Sequence, residues 1–367
     1  MTVSDRGARS MARYQTKPLT EFMWVSMTAR QHEYRFREIY PGIFTATLPI
    51  PGKRPGPVNV YLFWGEKNVL VDTGARYTAP LLKTLLRDIG FDLKTLDMIV
   101  ATHGHLDHYG AARKLIQGSK GRARLAAHAE DIRAIRTGRE VPLRTYRAYF
   151  NAMGVPVFLR LLMMPLMFLG KFMADPCRVD RVIGEGDRLR LGRYDAVVLS
   201  TPGHTRGSIC LYIPSQGVLL SGDHILDHIT PNAFVMLDKD RCLPQRMSQA
   251  EYYASLSRVE AISPQLILTA HGGPVTDGRA VIQGYRESFA RRKDKLLHIA
   301  GNKPKSVYGI ARELFPELGG KRFSLDLFLA ISETYTHLQV LADEGKIHMA
   351  MVGKKMRVTR MPQGPHG

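Results

Sequence analysis

The run His103-Gly104-His105-Leu106-Asp107-His108 constrains this chain more than any other stretch, because it puts three imidazoles and a carboxylate within six residues. It follows directly on Met98-Ile99-Val100-Ala101, a short, bounded and partly β-branched apolar run of the kind that forms a buried strand. The donors therefore sit where a strand ends and the chain turns. Successive strand residues point to opposite faces, so His103 and His105 can share one side while Gly104 lets the backbone bend. Asp107 and His108 then leave the turn toward a second point. Such a cluster offers ligands to two neighbouring metal ions, and ions about 3.5–4 Å apart can hold a hydroxide between them. A lone histidine in a turn is ordinarily structural; this density of donors is not ordinary.

The same grammar recurs three times downstream. An apolar run over 194–200 leads to Thr201-Pro202-Gly203-His204. Runs over 208–213 and 217–220 read as a hairpin-like pair ending at Ser221-Gly222-Asp223, and 266–269 leads to Ala270-His271-Gly272. Each delivers one metal-capable side chain at a strand end. Asp72, after the strand at 68–71, reads as a carboxylate that buttresses the metal loops. His128, alone at the end of a strand over 125–128, reads as structural.

Short strands predominate from residue 35, with 42–48 and 58–64 as neighbours across a Pro/Gly-rich link. Leu81, Leu82, Leu85, Leu86 and Ile89 recur at helical spacing with Gly90 as C-cap, and 110–116 reads as another helix. Residues 131–176 break this rhythm. Arg133, Arg136, Arg139, Arg144 and Arg147 precede an apolar tract at 155–173, and Gly154, Pro156, Pro165 and Gly170 cut the segment into helical pieces. The expectation is a helical lid over the metal edge, its Leu/Met/Phe face lining an apolar pocket and its arginines facing the entrance. A subunit contact or attachment to a membrane surface suits the same composition.

Charge is unevenly spread. The net charge is +19, with seventeen Lys/Arg against seven Asp/Glu over 113–193 and fourteen against seven over 291–360. Such surfaces attract anions: phosphorylated cofactors, nucleic acid or acidic lipid. Residues 1–34 read as a poorly ordered basic tail, with no apolar core of a signal peptide. No apolar run reaches the roughly 18 residues of a membrane-spanning helix. The three cysteines, Cys177, Cys210 and Cys242, form no CxxC pair, so they read as packing residues in a reducing, cytoplasmic compartment. Beyond a long basic helix at 283–299, helices at 306–314 and 324–343 and a basic-tipped hairpin over 346–358 predict a winged-helix-like domain at 291–367, after a catalytic domain at 35–290.

Together these motifs resemble the metallo-β-lactamase superfamily over roughly residues 36–300, in the HxHxDH cluster, the GH of TPGHT, the GD after the hairpin and the AHGG histidine. The resemblance implies an α/β fold, a four-layer αββα sandwich of two similar halves with the site at one edge between the sheets. Carried over by position, His103, His105 and His204 hold a first metal, Asp107, His108 and His271 a second, and Asp223 bridges them. Two divalent ions are implied: zinc suits the N/O donors, and iron or manganese remain open because affinity alone does not choose the metal. With Asp223 present and no cysteine in the motifs, β-lactam hydrolysis is not the expected role. Leu226 stands where signal-degrading lactonases often carry Tyr, and the further motifs of processing-factor nucleases are absent. The closer likenesses are to glyoxalase-II-like hydrolases and to lactamase-like protein 2 with its winged-helix tail, although Gly272-Gly273-Pro274 replaces the single Gly commoner there.

Two activities follow as expectations. The first is hydrolysis of an ester or thioester, of the acyl-CoA type, by a metal-bridging hydroxide that Asp107 orients. Its substrate would be a small anionic amphiphile, with a homodimer and peripheral membrane contact as the accompanying partners. The second is cleavage of single-stranded RNA by the same centre, with the basic C-terminal region holding the backbone.

Overall fold

The computed structural model describes residues 34–50, 55–139, 141–166, 170–316 and 325–362. The expected basic tail at 1–34 lies, apart from Tyr34, outside the described residues. Arg35 onward forms one compact unit. Its first sheet contains β1 (Arg37–Tyr40), β2 (Ile43–Leu48), β3 (Val58–Phe63), β4 (Val69–Val71), β5 (Met98–Val100), β6 (Arg124–His128) and β7 (Arg181–Ile183), side by side in that order. Pairing is antiparallel from β1 to β4 and parallel from β4 to β7. Parallel neighbours need a crossover. Between β4 and β5 this is α1 (Ala79–Asp88); α2 (Leu106–Tyr109) and α3 (Ala112–Gly118) join β5 to β6. From β6 to β7 the chain passes through α4 (Ile132–Thr137), α5 (Leu143–Ala152), α6 (Val157–Leu166) and α7 (Gly170–Met173).

The second sheet also keeps chain order: β8 (Arg188–Leu191), β9 (Tyr194–Ser200), β10 (Ile209–Ile213), β11 (Val218–Gly222) and β12 (Leu266–Thr269), with α8 (Ser248–Ile262) crossing between the last two. The period-two alternation of strand side chains sorts the core into layers. Val69 and Val71 of β4, with Val218 and Leu220 of β11, fill the space between the sheets. Leu70 turns outward against Leu82, Leu86 and Leu115 of α1 and α3. Leu219 turns outward against Tyr252 and Leu256 of α8 and against Ile282 and Phe289 of α9 (Gly278–Ala300). Helix, sheet, sheet and helix are therefore stacked in four layers. Each fully buried Leu, Val or Ile contributes about 1.5–3 kcal/mol to holding them together.

The C-terminal stretch holds β13 (Lys305–Ser306), α10 (Val307–Leu314), α11 (Leu325–Asp343), β14 (Ile347–Val352) and β15 (Lys355–Arg360), with β15 central in a three-stranded sheet. The boundary expected at 290/291 falls inside α9, which runs unbroken. One core joins Tyr149, Phe150 and Leu159 of α5 and α6 to Ile310, Ile331, Leu338 and Val358, and to Val235 and Leu237 of the long segment between β11 and α8. The inner face of the 131–176 segment is thus packed. Its outer face is not: Val157, Phe158, Leu161, Leu162 and Phe172 are 53–69% exposed. Among the described residues no helix is long and apolar enough to cross a membrane.

Candidate metal centre

The strand-end segments meet because the two sheets are tied together at one edge. Ile209 N–H donates to the Thr102 carbonyl at 2.9 Å, and Asn59 N–H to the Ala270 carbonyl at 2.7 Å. Gly222, with φ of +53°, comes so close that a Cβ there would lie 2.9 Å from Thr102. Only glycine delivers Asp223 to this point.

The donors converge there. His105 Nδ1 lies 3.0 Å from His103 Nε2 and 3.0 Å from His204 Nε2, and Asp223 Oδ2 is 3.3 Å from His204 Nε2 and 3.9 Å from His103 Nε2. The other oxygen of the same carboxylate faces the second group: Asp223 Oδ1 is 3.6 Å from His108 Nε2 and 3.5 Å from His271 Nε2. Asp107 completes that group, its two oxygens 3.7 Å from His108 Nε2 and 3.6 Å from His271 Nε2. All seven sequence-predicted donors are brought together, in a set of four (His103, His105, His204, Asp223) and a set of three (Asp107, His108, His271).

Four of the histidines have their remote nitrogen held. His108 Nδ1 meets Asp72 Oδ2 at 2.8 Å, and Asp72 also accepts from the Thr102 N–H and hydroxyl, both at 2.8 Å. Asp72 is thus the expected buttress, and it sits at a φ of +58°, a strained conformation for a non-glycine residue. His103 Nδ1 lies 3.1 Å from the Thr102 hydroxyl, His204 Nδ1 is 2.9 Å from the Asn232 carbonyl, and His271 Nδ1 is 2.9 Å from that of Pro57. A second buried carboxylate, Asp131, joins the two histidine loops. It accepts from Gly104 N–H at 2.7 Å, Gly207 N–H at 3.0 Å and the Thr205 hydroxyl at 2.8 Å. Gly104 is also a point of close approach, since a Cβ there would lie 3.1 Å from the Ala134 Cβ and 3.2 Å from Asp131.

Asp131 and Phe234 carry no signal that marks them in the sequence; Asn232 ends the stretch Ile229-Thr230-Pro231-Asn232, which resembles a subgroup of the family with no settled substrate but does not reveal its part at His204. The Phe234 ring stands edge-on to His105 and His204, at centroid distances of 5.2 and 5.0 Å. His128 lies apart from the donors, its Nδ1 accepting from Glu130 N–H at 3.3 Å. Cys177 and Cys210 are buried and free, and burial pushes the Cys210 thiol up to about 12; both are packing residues, whereas Cys242, read in the same way, is free and exposed.

Burial, reinforced by neighbouring imidazoles, holds His103 and His105 well below the usual histidine pKa, so both present neutral, ligating nitrogens. For His108 burial also favours the neutral ring, but the carboxylates of Asp223, Asp72 and Asp107 outweigh it and raise its pKa. Asp223 is held ionised: burial opposes this, and His271 and His108 overcome it. These are the signs of a site built around cations. Without one, His108 Nε2, His271 Nε2 and Asp223 Oδ1 are buried with no hydrogen-bond partner, a costly arrangement. Two divalent ions would satisfy all three atoms, so the residues fit the group.

The family model described as "Metallo-beta-lactamase superfamily" matches residues 54–305. The chain is 25% identical over 306 residues to the "Probable metallo-hydrolase YqjP" of Bacillus subtilis, spanning 80% of this chain and 90% of that one. It is 27% identical over 179 residues to the human "Acyl-coenzyme A thioesterase MBLAC2", covering 46% of this chain and 58% of that protein. A hydroxyacylglutathione hydrolase from Fuscovulum blasticum is 33% identical over 94 residues, 25% of this chain and 32% of that one. Among solved structures, a metallo-beta-lactamase family protein from Thermus thermophilus superposes with a TM-score of 0.74 at 25% identity, over 88% of this chain and 100% of that one.

Proposed function

This chain belongs to the metallo-beta-lactamase superfamily and is a metal-dependent hydrolase; from that premise we propose that it hydrolyses thioesters, with acyl-CoA-like amphiphiles as the substrate class. The division of Asp223, whose two oxygens face the two donor groups separately, supports a two-ion hydrolytic centre; the thioester reading is carried by the relatives' named activities. Two divalent ions, zinc by the nature of the donors, would supply a hydroxide nucleophile near neutral pH and polarise the carbonyl under attack. His103, His105 and His204 would hold one ion and Asp107, His108 and His271 the other, with Asp223 shared. Asp107 is the most open of the carboxylates at the centre, its side chain 17% exposed against 7% for Asp223. It is the group placed to orient the nucleophile and take up its proton.

Relatives named as an acyl-coenzyme A thioesterase and a hydroxyacylglutathione hydrolase support a thioester leaving group. The exposed apolar face of α6, together with the exposed Arg144 and Arg147 of α5, suits a greasy and anionic substrate, met in the cytoplasm or at a membrane surface. Cleavage of single-stranded RNA is the second reading, favoured by the basic 291–360 stretch and its exposed hairpin residues Lys354 and Lys355.

Purified, zinc-loaded protein should be assayed side by side on a panel of acyl-CoA thioesters and on single-stranded RNA at several salt concentrations. Turnover of thioesters that rises with acyl length, with RNA untouched, is the expected result. Cleavage of RNA that weakens steeply with salt, with thioesters inert, would replace the first reading with the second.

A further inference from the structure

The stretch from Asn232 to Asp238 has no regular secondary structure, yet it is held from two sides. From the metal side, Arg206, two residues past His204, donates to the Met236 carbonyl at 2.9 Å, the Leu237 carbonyl at 3.1 Å and Asp238 Oδ1 at 2.7 Å. From the far side come two residues of α11 spaced i, i+4 and so on one face of the helix. The Ser332 hydroxyl accepts from Val235 N–H at 2.7 Å; the Thr336 hydroxyl, which donates to the Glu333 carbonyl at 3.1 Å, lies 3.5 Å from the Ala233 carbonyl. Ser332 and Thr336 are 1% and 0% exposed, so water cannot readily replace them. Between these anchors the stretch presents the Asn232 carbonyl to His204 Nδ1 and the Phe234 ring to His105 and His204.

We propose that Ser332 is a positioning residue for the metal centre: through Val235 it fixes the stretch that orients the His204 ring, making the C-terminal helix a working part of the site. The physical chain is short. A ligating histidine needs its second nitrogen held for its ring to aim correctly, and such outer partners are worth about 10- to 100-fold in metal affinity. At His204 that partner is a backbone carbonyl, which has no position of its own; it goes where residues 233–237 go. Ser332 supplies an acceptor for the one N–H in the middle of that stretch, within a core of Leu327, Ile331 and Tyr335. The proposal rests on the reading that His103, His105 and His204 hold an ion.

The test uses full-length protein, wild type and S332A, S332T and H204A, titrated with cobalt(II) and followed by visible absorption and chelator competition. Hydrogen exchange of the 232–238 amides is measured on the metal-free forms. In S332A, affinity at the His204 site should fall about threefold to tenfold, a fraction of the direct-partner effect. The His271 site should hold its affinity, and the Val235 amide should exchange faster. S332T, which keeps the hydroxyl, should restore both. H204A should lose the first site outright. If wild type takes up two ions and H204A one, while S332A matches wild type in affinity and in Val235 exchange, the role of Ser332 is overturned and the metal reading stands. Equal weakening of both sites in S332A would also overturn it, since that marks general destabilisation. A wild type that binds no cobalt would sink the metal reading and this proposal with it.

Discussion

His108 and His204 are both buried, and each aims Nε2 at the same centre, yet they are held in opposite ways. The partner of His108 is the carboxylate of Asp72, at the end of the neighbouring strand β4. It brings charge as well as direction, and after Asp223 it is the next of the carboxylates that draw His108 above the usual histidine pKa despite burial. The partner of His204 is the uncharged carbonyl of Asn232, in an irregular stretch braced by α11. One ligand, His108, is held from within the first sheet by a carboxylate. The other is fixed by packing against a segment more than a hundred residues away in the chain. A sheet edge can thus be a rigid platform on one side and depend on distant structure on the other.

Asp223 serves both halves, so removing it should erase the contrast. D223A is expected to lose tightly bound metal from both sites and to lower kcat/KM by about a thousandfold or more, the scale of removing groups that position and stabilise charge in hydrolysis. Metal analysis of dialysed protein alongside kinetics checks this. Retention of two tight ions would show that the halves do not share this carboxylate.

D72N sharpens the contrast by keeping the shape of the His108 partner while removing its charge. Affinity at the His108 and His271 site should drop about 10- to 100-fold, with the His204 site little changed. Stepwise metal titration separates the two. Equal losses at both sites would mean that Asp72 acts through the fold of the Thr102 loop rather than through His108.

A further effect is expected on α11 itself. His337 is buried, and burial, with Arg292 and Lys293 adding to it, lowers its pKa to about 3. A histidine lowered from its free value of about 6.5 contributes stability that is present above that pH and is lost as pH falls from there toward about 3. The slope is on the order of 1 kcal/mol per pH unit. H337Q should flatten the acid limb of metal-free unfolding by one proton's worth in that window. Parallel curves for the two proteins would show that α11 does not carry this acid sensitivity.

Much of this is legible in the sequence, for a physical reason. The donors lie just past buried strands, and a buried strand announces itself as an apolar run ending in small residues. Where strands are arginine-rich edges, as in Arg181-Val182-Ile183 and Arg188-Leu189-Arg190-Leu191, the pattern is that of a solvated loop, and neither reads as a strand. Asp131 and Ser332 stay hidden because they act by hydrogen bonds to segments far along the chain. The role of Asn232 stays hidden for a further reason: it acts through a carbonyl, which every residue possesses. Gly104 reads as a hinge, and its missing side chain also lets it lie close to Ala134 and Asp131, a reason that exists only once the two segments meet.

Seven side chains from four strand ends are expected to form one two-ion centre shared through Asp223. Anomalous diffraction from crystals of zinc-loaded protein tests it most directly. Two ions about 3.5–4 Å apart are expected, one among His103, His105 and His204, the other among Asp107, His108 and His271, with a different oxygen of Asp223 on each. A single ion, or two ions with Asp223 bound to neither or to only one, would contradict it.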